Sequence, residues 1–312
     1  MGRVVLAPLI ALVLASAVAL GSALAACGDG DDRASTGRTA STAPTGRAAQ
    51  VRTVATGLRV PWGIAFLPGG DALVAERTTG RIVRVPARGG RPRTVMRIPD
   101  VDVDAGEGGL LGLAVSPAYR RDRTVYAYYT SPRDNRIVRF RLGGRPRPIV
   151  TGIPRAFIHN GGRIAFGPDG KLYAGTGDAG DTSRAQDPRS LGGKILRMNR
   201  DGTVPPDNPF PRSLVWSLGH RNVQGLAWDR AGRLWATEFG QNRFDEVNLI
   251  RPGRNYGWPV VEGRGSTHGG RFVNPLVTWP TAAASPSGAA IARGGLYVAA
   301  LRGERLWRIP LH

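Results

Sequence analysis

Residues 159–178 read His159-Asn160-Gly161-Gly162-Arg163-Ile164-Ala165-Phe166-Gly167-Pro168-Asp169-Gly170-Lys171-Leu172-Tyr173-Ala174-Gly175-Thr176-Gly177-Asp178. Two apolar runs, Ile164–Phe166 and Leu172–Ala174, flank a Gly-Pro-Asp-Gly turn, a strong short-range hairpin signal. A hairpin brings its outer ends together, so His159 and Asp178 are expected on one rim of a sheet. An imidazole and a carboxylate on one rim are a base and its orienting partner. The competing reading is a pair of loop residues that cap turns.

The hairpin recurs. Gly63-Ile64-Ala65-Phe66, Gly112-Leu113-Ala114-Val115, Gly225-Leu226-Ala227-Trp228 and Gly288-Ala289-Ala290-Ile291 each run through a turn into a second apolar strand. The aligned alanines, at 65, 114, 165, 227 and 290, are spaced 49, 51, 62 and 63 residues apart. A third strand follows each hairpin: Arg81–Val85, Arg136–Phe140, Lys194–Met198, Glu246–Ile250 and Arg305–Ile309. Apolar and polar residues alternate in these strands, as half-buried strands require. Repeats of about 50 residues, each a small antiparallel sheet, specify an all-β β-propeller. Five units are visible over residues 51–312, and Val51–Val54 is a candidate strand for closing the ring. Propellers place function where the loops of all blades converge.

The residues before the propeller read differently. Arg3 precedes an apolar run, Val4–Ala26, that ends Leu24-Ala25-Ala26-Cys27, the pattern of an export signal over residues 1–27. Leu-Ala-Ala-Cys resembles the bacterial lipobox, which implies acylation of Cys27 and anchoring to the outer face of the cell membrane. The run is also long enough to be a membrane-spanning helix. Residues 28–50 carry no large apolar side chain and read as a flexible tether. Cys27 is the sole cysteine, so no disulfide supports the fold. The net charge is +20; Lys occupies only positions 171 and 194 of the 43 Lys and Arg, leaving 41 Arg. That surface suits anionic partners such as lipid, cell-wall polymer or an anionic cofactor, and export argues against nucleic acid. A GC-rich genome would produce the same arginine bias.

Repeat equivalence adds neighbours to the His159 rim. Glu107, in Asp104-Ala105-Gly106-Glu107-Gly108-Gly109-Leu110, stands before its hairpin as His159 does before the third. Arg221 and Asn222 hold that place in the fourth unit. The loop Glu238-Phe239-Gly240-Gln241-Asn242-Arg243-Phe244-Asp245-Glu246 offers backbone carbonyls and paired acids, the oxygen set that a hard cation prefers; an acidic turn is the plainer reading. Arg221 and Arg302 are the arginines that could meet ligand carboxylates with a forked geometry; an ordinary solvated arginine is the plainer reading, above all for Arg302.

Together these motifs resemble the pyrroloquinoline-quinone (PQQ)-dependent soluble glucose and aldose sugar dehydrogenases, the glucose/sorbosone dehydrogenase family. The match runs from Leu58 to Ile309. It rests on Gly106–Gly112, His159–Asp178, Gly219–Ala227, Asp245–Ile250 and Asn255-Tyr256-Gly257-Trp258-Pro259. The resemblance implies a six-bladed propeller with the quinone lying flat over the central opening. It implies that His159 takes the anomeric hydroxyl proton as hydride passes to the quinone, that Asp178 supports His159, and that Glu107 sits beside the sugar. Arg221, Asn222 and Arg302 match cofactor contacts. The carbonyls of Gly240 and Gln241 match ligands of a calcium ion on the quinone, and Asp245, Glu246 and Tyr256 a second calcium site. The implied product is the sugar lactone, and the electron acceptor is left open. The family continues beyond the strand at Arg305–Ile309 and has a longer counterpart of Arg141–Pro154, which implies a missing or incomplete C-terminal blade. Two other functions fit the same fold: an envelope-binding propeller without chemistry, and a calcium-dependent hydrolase of the lactonase kind.

Overall fold

The computed structural model describes residues 52–311. The export signal, the tether and Cys27 lie outside the described residues. Five antiparallel sheets follow one another along the chain. The first comprises β1 (Pro61–Phe66), β2 (Ala72–Glu76), β3 (Arg81–Val85) and β4 (Arg93–Arg97). The second comprises β5 (Leu110–Val115), β6 (Thr124–Thr130), β7 (Asn135–Arg141) and β8 (Arg147–Ile153), with the short helix α1 (Tyr119–Asp122) between β5 and β6. The third holds β9 (Ile164–Phe166), β10 (Leu172–Gly175), β11 (Lys194–Met198) and β12 (Val215–Leu218), and α2 (Ser183–Gln186) sits in its β10–β11 loop. The fourth is β13 (Val223–Trp228), β14 (Leu234–Glu238), β15 (Phe244–Ile250) and β16 (Val277–Pro280). The fifth has three strands, β17 (Pro286–Ala292), β18 (Gly295–Ala300) and β19 (Arg305–Pro310).

The opening hairpin forms as its sequence specifies, with Ile164 opposite Ala174 and Phe166 opposite Leu172. Gly170 turns the chain at φ 71°, a conformation that costs glycine little. Successive sheets pack through their first strands. A Cβ on Gly63 of β1 would stand 2.3 Å from the Leu111 carbonyl oxygen of β5, and one on Gly225 of β13 would stand 2.6 Å from that of Ser287 on β17. The Gly-x-Ala signature of the repeat is therefore a contact requirement between blades.

Neighbouring residues on a strand point to opposite faces, and here both faces meet another blade. Leu110 and Leu113 pack with Leu73 and Ile82 of the first sheet, whereas Leu111 and Ala114 pack with Ile164 and Leu172 of the third. Tyr173 and Ile195 pack in turn against Val223 and Leu234 of the fourth. Half-burial thus fails for β11, whose five residues are all buried, Lys194 and Arg197 included.

Two further expectations change. Residues 52–58 form no strand, so the expected closing strand is absent among the described residues; the Val54 carbonyl instead accepts the Gly90 N–H at 3.2 Å. The described residues form five sheets, not the six that the resemblance implies. Ile64 and Phe66 on the first sheet, and Leu301 and Leu306 on the fifth, remain exposed.

Candidate active site

His159 enters β9 and Asp178 leaves β10, and the hairpin closes them to 2.7 Å between His Nδ1 and Asp Oδ1. Asp178 is wholly buried. Burial acts to raise its pKa, but hydrogen bonds from His159, from Trp258 Nε1 at 2.9 Å on Oδ2 and from Gly180 N–H at 2.9 Å outweigh it and hold the carboxyl below its ordinary value. An ionised carboxylate only accepts, so Nδ1 donates in this bond and Nε2 is turned away from the carboxylate.

His159 is held in the left-handed region, φ 55°, a conformation that costs a non-glycine residue about 1–3 kcal/mol. Both flanking peptide groups are secured. The His159 N–H donates to Glu107 Oε2 at 2.8 Å, and its carbonyl accepts the Ala179 N–H at 3.1 Å. A Cβ on Gly177 would lie 1.8 Å from that carbonyl oxygen, so only glycine fits one residue before Asp178.

The fourth unit completes this rim. Arg221 O accepts the Asp178 N–H at 2.8 Å, and Asn222 Oδ1 accepts from Gly161 N–H at 3.0 Å and Gln224 Nε2 at 2.9 Å. The Arg221 guanidinium lies 5.5 Å from the Trp258 ring centroid and donates through Nε to Gln241 Oε1 at 2.8 Å. Burial lowers its pKa, yet it still senses the charges of Asp178, Glu238 and Glu107. Beside it, His220 is fully buried. Its Nδ1 meets Glu238 Oε2 at 2.8 Å, its Nε2 meets Ser217 Oγ at 2.8 Å, and its ring stacks on Tyr256 at 4.8 Å.

A cavity of about 490 Å³ opens on the axis, with Trp62, Arg77, Glu107, Asn160, Gln224 and Phe239 in its wall. Arg77 Nε is buried and has no partner among the described residues. An orphaned guanidinium donor in the wall fits an anionic, acceptor-rich ligand, and a tricarboxylate quinone is of that kind.

The loop 239–244 fits a cation. Glu262 Oε1 gathers the N–H groups of Gln241, Asn242, Arg243 and Phe244 at 2.7, 3.0, 3.0 and 3.3 Å. Burial raises the Glu262 pKa, but these amides lower it further and keep the carboxylate charged. The carbonyls of Gly240 and Gln241 accept no hydrogen bond from the described residues, which leaves two oxygens for a hard cation. The expected paired acids do not share a site, because neighbours on β15 face opposite ways. Asp245 accepts from the N–H groups of Gly240 at 3.0 Å and Ser285 at 2.7 Å. Glu246 accepts from Gly263 N–H at 2.8 Å and Asn248 Nδ2 at 2.9 Å. Burial, then the charge of Glu238, raises the Glu246 pKa, and the buried Asn248 Oδ1 beside it has no donor. The Tyr256 hydroxyl donates to Leu249 O at 2.7 Å and accepts Arg251 N–H at 2.9 Å.

Arg302 stays outside the cluster. It follows Leu301, a cavity residue, but its side chain is exposed and pairs with none of the described residues. Trp258 was not legible as a partner of Asp178; the two are 80 residues apart, and only the packing of blades joins them.

Comparison with known proteins agrees with this geometry. Residues 58–312 match the family model for Glucose / Sorbosone dehydrogenase. Quinoprotein glucose dehydrogenase B of Acinetobacter calcoaceticus is 33% identical over 288 residues, which are 80% of this chain and 59% of that protein. Aldose sugar dehydrogenase YliI of Escherichia coli is 32% identical over 227 residues, 64% of this chain and again 59% of the relative. The chain thus spans about three fifths of the length of these two relatives. The PQQ-bound aldose sugar dehydrogenase of Streptomyces coelicolor superposes with a TM-score of 0.81 at 57% identity, covering 84% of this chain and 80% of that one. With the model matched across every described blade and across the His159–Asp178 rim, this chain belongs to the glucose/sorbosone dehydrogenase family.

Proposed function

We propose that the protein oxidises an aldose at its anomeric carbon to the lactone, using PQQ and calcium. The observation that carries this reading is the buried His159–Asp178 pair, whose neighbours Glu107 and Asn160 line the cavity. His159 Nε2 takes the proton of the anomeric hydroxyl. Asp178, fixed by Trp258, balances the imidazolium charge that results. Glu107, already tied to the His159 backbone, lines the cavity beside the sugar. Arg77 and Arg221 would hold cofactor carboxylates, with Asn222 bracing the rim and Arg302 approaching from the fifth sheet. The carbonyls of Gly240 and Gln241 would hold calcium, and Glu246 with Asn248 suits a second cation better than the set with Tyr256. When bound, PQQ would supply the hydride acceptor and calcium a Lewis acid for the charge that develops.

An external electron acceptor completes the cycle, and the acylated Cys27 would keep the enzyme on the outer face of the membrane. The test is dye reduction by purified protein supplied with PQQ, Ca²⁺ and a panel of aldoses. Turnover that needs both additions and disappears in His159→Ala supports the reading. Quinone binding without turnover of any aldose would leave an envelope-binding propeller, and lactone hydrolysis without quinone would leave a hydrolase.

A further inference from the structure

Lys194 is one of two lysines in a chain with 41 arginines, and it is completely buried at the start of β11. Its ammonium donates to the carbonyls of Arg184 at 2.5 Å, Gly192 at 2.7 Å and Ala185 at 3.1 Å. No carboxylate of the described residues lies within ion-pair distance of it. A buried charge is costly unless every donor is satisfied. Three carbonyls satisfy the three N–H groups that only the ammonium form has, and a planar guanidinium fork could not fill this cage. Burial pushes the group down to about 7 and Asp187 opposes that; the three carbonyls also favour the charged form.

The caged carbonyls belong to the β10–β11 loop, which touches Asp178, His220 and Trp258 around the candidate site. Arg184 Nη1 donates to the carbonyls of Asp178 at 3.1 Å and Ala179 at 3.3 Å. Ala185 O accepts Gly219 N–H at 2.9 Å, and Gly193 O accepts His220 N–H at 3.2 Å. Gln186 Nε2 donates to Trp258 O at 2.6 Å, and Trp258 in turn holds Asp178. We propose that Lys194 is a positioning residue whose ammonium serves as a resident cation, gathering this loop so that Asp178 and Trp258 keep His159 aligned. The inference rests on the proposed dehydrogenase reading for its effect on turnover alone.

The test uses the full chain with Lys194→Ala and Lys194→Met, the latter filling the cage without charge. One readout is the low-field proton NMR signal of His159 Nδ1–H in quinone-free protein, identified by its loss in His159→Gln. The other is sugar turnover with PQQ and Ca²⁺. Lys194→Ala should lose the signal and about 100-fold in turnover, and propylammonium should restore both where propanol does not. Lys194→Met should lose both while retaining the β-sheet circular dichroism of the wild type. The proposal is overturned if either variant keeps the signal, or if propanol rescues as well as propylammonium. If Lys194→Ala does not fold, the Lys194→Met spectrum decides alone. A wild type that shows the signal but oxidises no sugar refutes the proposed function and leaves the positioning role standing.

Discussion

The molecule contains the same chemical pair twice. His159 and Asp178 meet at 2.7 Å, and His220 and Glu238 at 2.8 Å, each through Nδ1 and each buried. The difference lies at the other nitrogen. His220 Nε2 is spent on Ser217 Oγ, and its ring is stacked on Tyr256 with no exposure. His159 Nε2 has no partner among the described residues, and Glu107 and Asn160 beside it line the cavity. A histidine–carboxylate pair becomes a base when its second nitrogen is left open to a ligand, and a structural clamp when that nitrogen is filled.

The largest effect expected from breaking this contrast is on chemistry. His159→Ala should lower aldose turnover by about 10³-fold, and because it strands the buried Asp178 it should cost stability as well. Removing His220 should act on stability without removing the base. His220→Ala strands Glu238 beside the Arg221 backbone, and breaking a buried pair costs about 3–5 kcal/mol. Urea denaturation measures this, and a turnover loss in folded His220→Ala as large as that of His159→Ala would erase the distinction. A smaller effect comes from Trp258→Phe, which removes one charge-assisted donor from Asp178. Such a bond is worth about 1.5–3 kcal/mol, so turnover should fall by at least about tenfold with the sugar KM little changed. The smallest effect is on acid stability. The Asp178 pKa is lowered in the folded chain, so its contribution is complete above the ordinary 3.8 and is lost as pH falls through the lower folded value. Asp178→Asn should remove that part of the decline, seen as a shallower loss of unfolding free energy on acidification. An unchanged slope would mean that the pair does not hold Asp178 charged.

The legible part of this molecule was local. The recurring alanine and the turns mark each blade, with glycine two residues before it in all but the third, because strand periodicity and turn chemistry act over a few residues. His159 and Asp178 could be paired because one hairpin carries both. Asp245 and Glu246 misled for a related reason: adjacency in sequence suggests a shared site, whereas the pleat of β15 turns them to opposite faces. Val51–Val54 read as a candidate closing strand, but residues 52–54 form none and are tied at Val54 to the loop after β3. Tyr256 sits in a motif that aligns well, and its hydroxyl is nevertheless engaged by Leu249 and Arg251.

Sequence alone therefore determined the all-β repeat and three strands of each blade, and it placed His159 and Asp178 on one rim because one hairpin carries both; the fourth strands β4, β8, β12 and β16 were not read from it. Tertiary structure alone decided which histidine is open, that Trp258 is the second support of Asp178, and that Lys194 holds the loop between them. The contacts of Trp258 with Asp178 and with Gln186 span 80 and 72 residues. Such contacts are set by how the blades pack, and they leave no periodic trace in the chain.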